Sequence, residues 1–372
     1  MPERADGDML FDLVDRYWAF GIHRTGTEVD HRTAAWMGDE LTARGLRVEP
    51  EVLPFDRWSA ESTLTADGRA VDHLAVPYEW EGTLDTRSVV VLDSDDPHSG
   101  GRPDVLAEPI AQARAAGADA LVVPTVHPEG SLRAVNRDPA GLASGFPVVL
   151  VAGRDAERVR DADLRLSVVA STTPATTTNV VARNGVAGRP LILTTPLTGW
   201  FGCAGERGTG IAVLLHLVDV LRDLPLVVNA TGGHELTWFG AQRWVEANQA
   251  TGAAAVVHVG ASAAVVEPGE GPDRELISTR VARTSLSSPR AATMSEALAS
   301  VGLDLRCDSA SWLGEAQSFC HLGIPLLSFT GAGRDFHCPE DTPSRATTPE
   351  ALARIATAFE AAARELYRAA TS

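Results

Sequence analysis

The sequence contains no lysine: all 32 of its basic residues are arginine. That absence excludes chemistry. A Schiff-base mechanism needs a lysine amine, so pyridoxal-phosphate enzymes and lysine-dependent aldolases are ruled out. A Walker A loop places lysine on the phosphates, and none is available. Positive charge is scarce altogether, because 49 acidic residues face those arginines and leave a formal net charge of −17. Phosphate backbones and anionic membrane surfaces would be repelled, so neither nucleic acid nor membrane is expected as a partner. Cysteine is equally sparse. Cys203, Cys307, Cys320 and Cys338 show no CxxC spacing, which fits reduced thiols. The opening MPERADGDMLFDLVDRYW lacks a basic stretch followed by an apolar one, and no apolar run approaches the ~18 residues of a membrane span. A cytoplasmic protein is expected.

With 372 residues, 44% hydrophobic and 22% charged, the chain can form one large domain or two with an ample core. Residues 8–45 carry apolar positions at helical spacing on either side of a polar HRTGTEVDH loop. Residues 63–170 change character: short β-like runs (SVVVLD, ALVVPT, FPVVLVAG) surround the helical stretch DVLAEPIAQARAAGA. A small inserted β-rich domain is expected there, within a discontinuous domain of residues 1–62 and 171–372. The segment TTPATTTN is expected to act as a linker. Beyond it PLILTTPL, PLVVNATGG, AAAVVHVGA and GIPLLSFTG read as buried strands alternating with helices, and PEALARIATAFEAAARELYRAA closes the chain as an amphipathic helix. Such alternation predicts an α/β fold, a three-layer αβα arrangement with a mostly parallel central sheet.

Ligands in such folds sit outside the carboxyl ends of the strands. Those ends carry Cys203, Glu206 and Arg207; His234 and Glu235; His258; and Arg334, Asp335, His337, Cys338 and Asp341. Carboxylates and imidazoles converging from separate strands supply the N and O donors that Zn²⁺ takes. Singly, each residue has an ordinary explanation: Glu206 can favour a helix dipole, and His234, Glu235 and His337 can be polar loop residues. His216 lies mid-helix among apolar residues, and His31, His73, His98 and His127 lie in polar loops, so none is given a role. Cys307 and Cys320 read as small buried hydrophobes.

The order of the strand with its acidic loop and GTGIAVLL, the strand with paired polar residues before LTWFGA, and GIPLLSFTG…FHCPEDT resembles the zinc-dependent aminopeptidase superfamily, which includes leucyl aminopeptidase-like exopeptidases and glutaminyl cyclases. The resemblance covers nearly the whole chain. Within it, IAQARAAGADALVVPT resembles the inserted protease-associated domain. The resemblance implies that Glu206 takes the bridging-carboxylate position, Glu235 that of the second glutamate and His337 that of the final histidine, with His234 where the general-base glutamate stands. Glu315 in GEAQSF falls on an acidic position, and His258 is nearest to a further aspartate ligand. Pro196 and Thr198 replace the first histidine and its aspartate, so one metal's private ligands are missing. The resemblance thus implies a single zinc on Glu206, Glu235 and His337, with His234 and Glu235 catalytic. Arg207 and Arg334 would hold a substrate's acidic group; His23, Arg24, Cys203, His258 and Glu315 would surround an amide or peptide-like small molecule that is hydrolysed or cyclised. Two alternatives stand beside it: a metal-free enzyme using His234/Glu235 or Cys203, and a non-catalytic ligand-binding relative. A homo-oligomer is compatible with the eight tryptophans.

Overall fold

The computed structural model describes residues 5–92, 105–136, 143–249 and 252–372. His98 lies outside them. Four strands at the centre, Leu226–Thr231, Leu191–Pro196, Ala255–Val259 and Leu326–Thr330, are mutually parallel neighbours in that order. They are the apolar runs read from the sequence, and every residue in them is buried except the half-buried Thr330. Alternate side chains leave the sheet on opposite faces. Leu193, Val228, Val257 and Leu327 enter a core with the helices Gly7–Trp18, Thr209–Val220, Ala292–Ala299 and Pro349–Thr371. Ile192, Val227, Val256 and Leu326 face the helix Phe239–Ala247 and Phe319 on the other side. The architecture is therefore three-layered α/β, as expected, with antiparallel strands at both flanks of the parallel centre.

The largest departure from the sequence reading is a long ribbon. Arg47–Ala66 pairs antiparallel with Leu164–Arg183 along all 20 positions. TTPATTTN is no linker; it lies inside the second strand of this ribbon. Its threonines are β-branched and suit an extended backbone, whereas Pro174 and the polar composition suggest a loop. The expected boundaries at 62/63 and 170/171 also fall within these continuous strands. At the ribbon's far end a separate four-stranded sheet is built from His73–Ala75, Val148–Ala152, Ala120–Thr125 and Val89–Val91. One of its faces packs on the helix Ala107–Ala115. The other packs on Leu64, Leu166 and Val168 of the ribbon.

Among the described residues no helix is long and apolar enough to cross a membrane. The closing helix starts at Thr348, whose side chain accepts from the Ala351 N–H, a conventional N-cap. It presses Phe359 onto the sheet, where the ring stacks on Phe329 at 3.5 Å between centroids. Both rings are fully buried. Phe359→Ala is expected to lower unfolding stability by about 3–5 kcal/mol through lost burial and a residual cavity. Denaturant titration checks this, and a loss below ~1 kcal/mol would contradict such packing.

Candidate functional site

At the carboxyl ends of the parallel strands the backbone departs repeatedly from ordinary geometry. Cys203, Thr237, Trp238, Ser262 and His337 all have positive φ, between 50° and 60°. For residues with side chains such conformations cost energy and cluster at functional sites. Cys203 opens a single π-helical turn, Ala204–Gly208, that carries Glu206 and Arg207 inward. The turn is held from outside by Asp341, whose carboxylate accepts the Gly205 and Glu206 N–H groups at 2.8 and 2.9 Å. Burial pushes the Asp341 carboxyl up to about 7, against the pull of those two hydrogen bonds.

Glu206 and Arg207 form an ion pair at 2.7 Å, with side chains 1% and 0% exposed. Burial alone would raise the Glu206 carboxyl. The Arg207 guanidinium and His337 outweigh it and hold the group well below the usual carboxylate range. Arg207 Nε donates to the Thr198 carbonyl at 2.8 Å, which fixes the fork. The Cys203 thiol lies 3.7 Å from Glu206 Oε2, and burial raises its pKa well above the ordinary thiol value. The alternative of Cys203 as nucleophile thus meets a buried, protonated thiol.

Glu235 is occupied by other partners. Its Oε1 accepts the Thr25 N–H at 2.8 Å and pairs with Arg24 at 3.4 Å, and its Oε2 accepts the Thr198 hydroxyl at 2.8 Å. Arg24 in turn lies 3.7 Å over the Trp200 ring. Thr198, read from the sequence only as a lost ligand position, is a hub: its hydroxyl oxygen also accepts the His234 N–H at 3.0 Å. His337 completes the set differently. Its Nδ1 is 3.1 Å from the Ala134 carbonyl and its Nε2 is 3.3 Å from Glu206 Oε1, so both ring nitrogens face acceptors.

The expected zinc set of Glu206, Glu235 and His337 is consequently not assembled. A cation already sits on Glu206, and both oxygens of Glu235 are taken. No group of three or more His, Cys, Asp or Glu side chains among the described residues is placed to hold a metal ion. The residues present do not fit zinc in that role.

What the strand ends do enclose is a cavity of about 210 Å³ lined by His234, His258, Glu315 and His337 together with Trp238, Leu313 and Phe336. Val135 and Asn136, from the segment preceding the small sheet's last strand, complete its wall. That segment is tied down by Ala134 N–H donating to the His337 carbonyl at 2.9 Å and by Trp200 Nε1 donating to Asn136 at 2.8 Å. His127, given no role from sequence, anchors the same segment through Asp335 at 2.9 Å. Inside the cavity His234 Nδ1 is 3.0 Å from Glu315 Oε1, and Glu315 Oε2 accepts the Thr231 hydroxyl at 2.7 Å. Burial, then the Arg207 charge, lowers the His234 pKa well below 6.5; burial raises that of Glu315. Burial also brings His258 down to about 4.

Five expected substrate contacts, His23, Arg24, Cys203, Arg207 and Arg334, lie outside the cavity lining. Arg334 pairs with Glu129 and Asp335 outside the cavity lining, and Arg207 is sealed behind Glu206. His23 is fully buried, stacked on Tyr17 at 3.8 Å, with its ring nitrogens 3.0 Å from Thr33 Oγ1 and the Tyr17 carbonyl. The HRTGTE loop reaches the site through Arg24 and the Thr25 backbone instead. Thr198, Thr231 and Asn136 were missed; only the strand-end position of the two threonines could have signalled them.

Burial lowers the His23 pKa from 6.5 to about 3. Below pH 6.5 the unfolded chain gains a proton that the folded chain refuses. Stability should then fall by up to about 1.4 kcal/mol per pH unit as pH drops toward 3. His23→Gln is expected to flatten that acid limb in denaturant titrations; an unchanged slope would contradict the buried neutral imidazole.

No family model matches the sequence, and no curated protein sequence is similar to it. Solved structures are. The zinc aminopeptidase BSAP from Bacillus subtilis superposes with a TM-score of 0.74 at 18% identity, covering 96% of this chain and 94% of that one. An aminopeptidase from Aneurinibacillus gives 0.66 at 16% identity, covering 98% and 94%. The glutaminyl cyclase of Porphyromonas gingivalis gives 0.53 at 12% identity, covering 97% of each. The chain thus has the fold that zinc aminopeptidases share with glutaminyl cyclase.

Proposed function

We propose that this chain is an aminopeptidase-like or cyclase-like enzyme that acts on the amide bond of a small molecule held in the cavity. The observation that carries this reading is the Thr231–Glu315–His234 chain of hydrogen bonds ending in the cavity wall. A buried carboxylate accepting from Nδ1 fixes the imidazole tautomer and leaves Nε2 as the proton acceptor on the cavity side. With its pKa lowered, His234 is neutral at neutral pH and ready to take a proton from an attacking water or amine. The protonated ring would then return that proton to the departing nitrogen, with Glu315 stabilising the imidazolium. His258 is available to donate a ring N–H to the substrate carbonyl oxygen, beside His337, which Ala134 aligns.

Zinc enters no step of this scheme, because the side chains that would bind it are engaged with Arg207, Arg24, Thr25 and Thr198. The roles of His234 and Glu315 replace the pairing of His234 with Glu235, which faces away into the threonine network.

The test is turnover of a panel of aminoacyl anilides, glutaminyl amides and N-acyl amides. Activity is expected to survive chelation, and His234→Gln is expected to lower kcat/KM by about 10²–10⁴-fold, with Glu315→Gln falling in the same direction. Activity unchanged in His234→Gln, or lost to a chelator and restored by zinc, would contradict the proposal. Binding without turnover would identify a non-catalytic ligand-binding protein.

A further inference from the structure

An exopeptidase pocket must offer negative charge to a free α-ammonium group. Here the carboxylates at the strand ends already have partners. Glu206 faces Arg207, Glu235 accepts from Thr25 and Thr198, and Asp341 accepts two backbone N–H groups. Glu315 is the sole carboxylate among the described lining residues, and both of its oxygens are taken by His234 and Thr231. The remaining described polar lining is imidazole, hydroxyl, amide and backbone, set among Trp238, Leu313 and Phe336. The Nδ1 of His258 is buried without a hydrogen-bond partner among the described residues. An ammonium entering this space would lose its water and find no carboxylate oxygen among the described lining residues that is without a partner. An acylated nitrogen carries no charge, and its carbonyl can accept from an imidazole N–H.

We propose that the cavity takes an amine-blocked substrate, an N-acylated amide bearing an apolar group, and discriminates against the same amide with a free α-amine. The inference rests on the functional reading above for the site and narrows its chemistry to hydrolysis, since cyclisation would need the free α-amine as nucleophile.

Calorimetric binding of N-acetyl-leucinamide and leucinamide to the full chain separates the two questions. At pH 6.5 leucinamide is largely protonated, because an α-amino group titrates near 7.7–8.0. The acetylated ligand is expected to bind at least ~10-fold more tightly, a ratio worth about 1.4 kcal/mol. Equal or tighter binding of leucinamide, or binding of neither at millimolar concentration, overturns the inference. Leu313→Glu places a carboxylate on the cavity wall and should narrow or reverse the ratio. An unchanged ratio in that variant would show that charge is not the determinant, and would also overturn it. Matched N-acetyl-leucine and leucine anilides report on catalysis separately. Preferential binding with no turnover of either would defeat the enzyme reading while sustaining the ligand preference.

Discussion

The buried ion pair between Glu206 and Arg207 is the constraint on which the rest of the site depends. Two charges removed from water cost several kcal/mol each unless they are well paired and hydrogen-bonded. Here the pairing is close, and the local backbone is shaped to achieve it. Gly199 leaves room for the Cys203 side chain, since a Cβ there would stand 2.6 Å from the sulfur. Cys203 then turns left-handed, the π turn follows, and Asp341 holds that turn's amides. The Thr198 carbonyl receives Arg207 Nε, so the strand end and the turn are locked together.

Once a guanidinium occupies that place, the neighbouring groups must find other partners. Glu235 turns to Thr25, Thr198 and Arg24, which draws the N-terminal loop onto the site. His234 is left to Glu315, a residue 81 positions away in the chain. His337 keeps contact with Glu206 but takes its orientation from Ala134, so the segment next to the small sheet helps to set the ring. A region that looked like a separate insertion therefore contributes both a wall of the cavity and the alignment of one of its imidazoles.

The layered fold was legible because its signals are local. Continuous apolar runs such as LILTTP and LVVNAT have one economical solution, a parallel strand buried on both faces, and the closing helix announces itself by a capped amphipathic pattern. The Arg47–Ala66 and Leu164–Arg183 ribbon was not legible. Its paired residues lie 98 to 136 positions apart, and prolines and threonines on a half-exposed ribbon look like loop. At the site, His234, His258, Glu315 and His337, all singled out from the sequence, line one cavity. It misassigned what they face. Chain position places Glu206 and Glu235 near a metal-like locus, but only the fold reveals that Arg207 reaches back to Glu206 and that Thr198 claims Glu235. His23, expected from the sequence to be among the residues around the substrate, instead stacks on Tyr17 in the core.

Whether an internal guanidinium supplies the positive charge at this strand end is decided by a double-mutant cycle on unfolding stability with Glu206→Gln and Arg207→Met. Removing either partner alone leaves the other charge buried and unpaired, so each single variant should lose about 3–5 kcal/mol while the double variant loses much less. A coupling energy of roughly 2 kcal/mol or more is expected for the buried pair. Additive losses within about 0.5 kcal/mol would mean that the two residues act independently and would contradict that pairing.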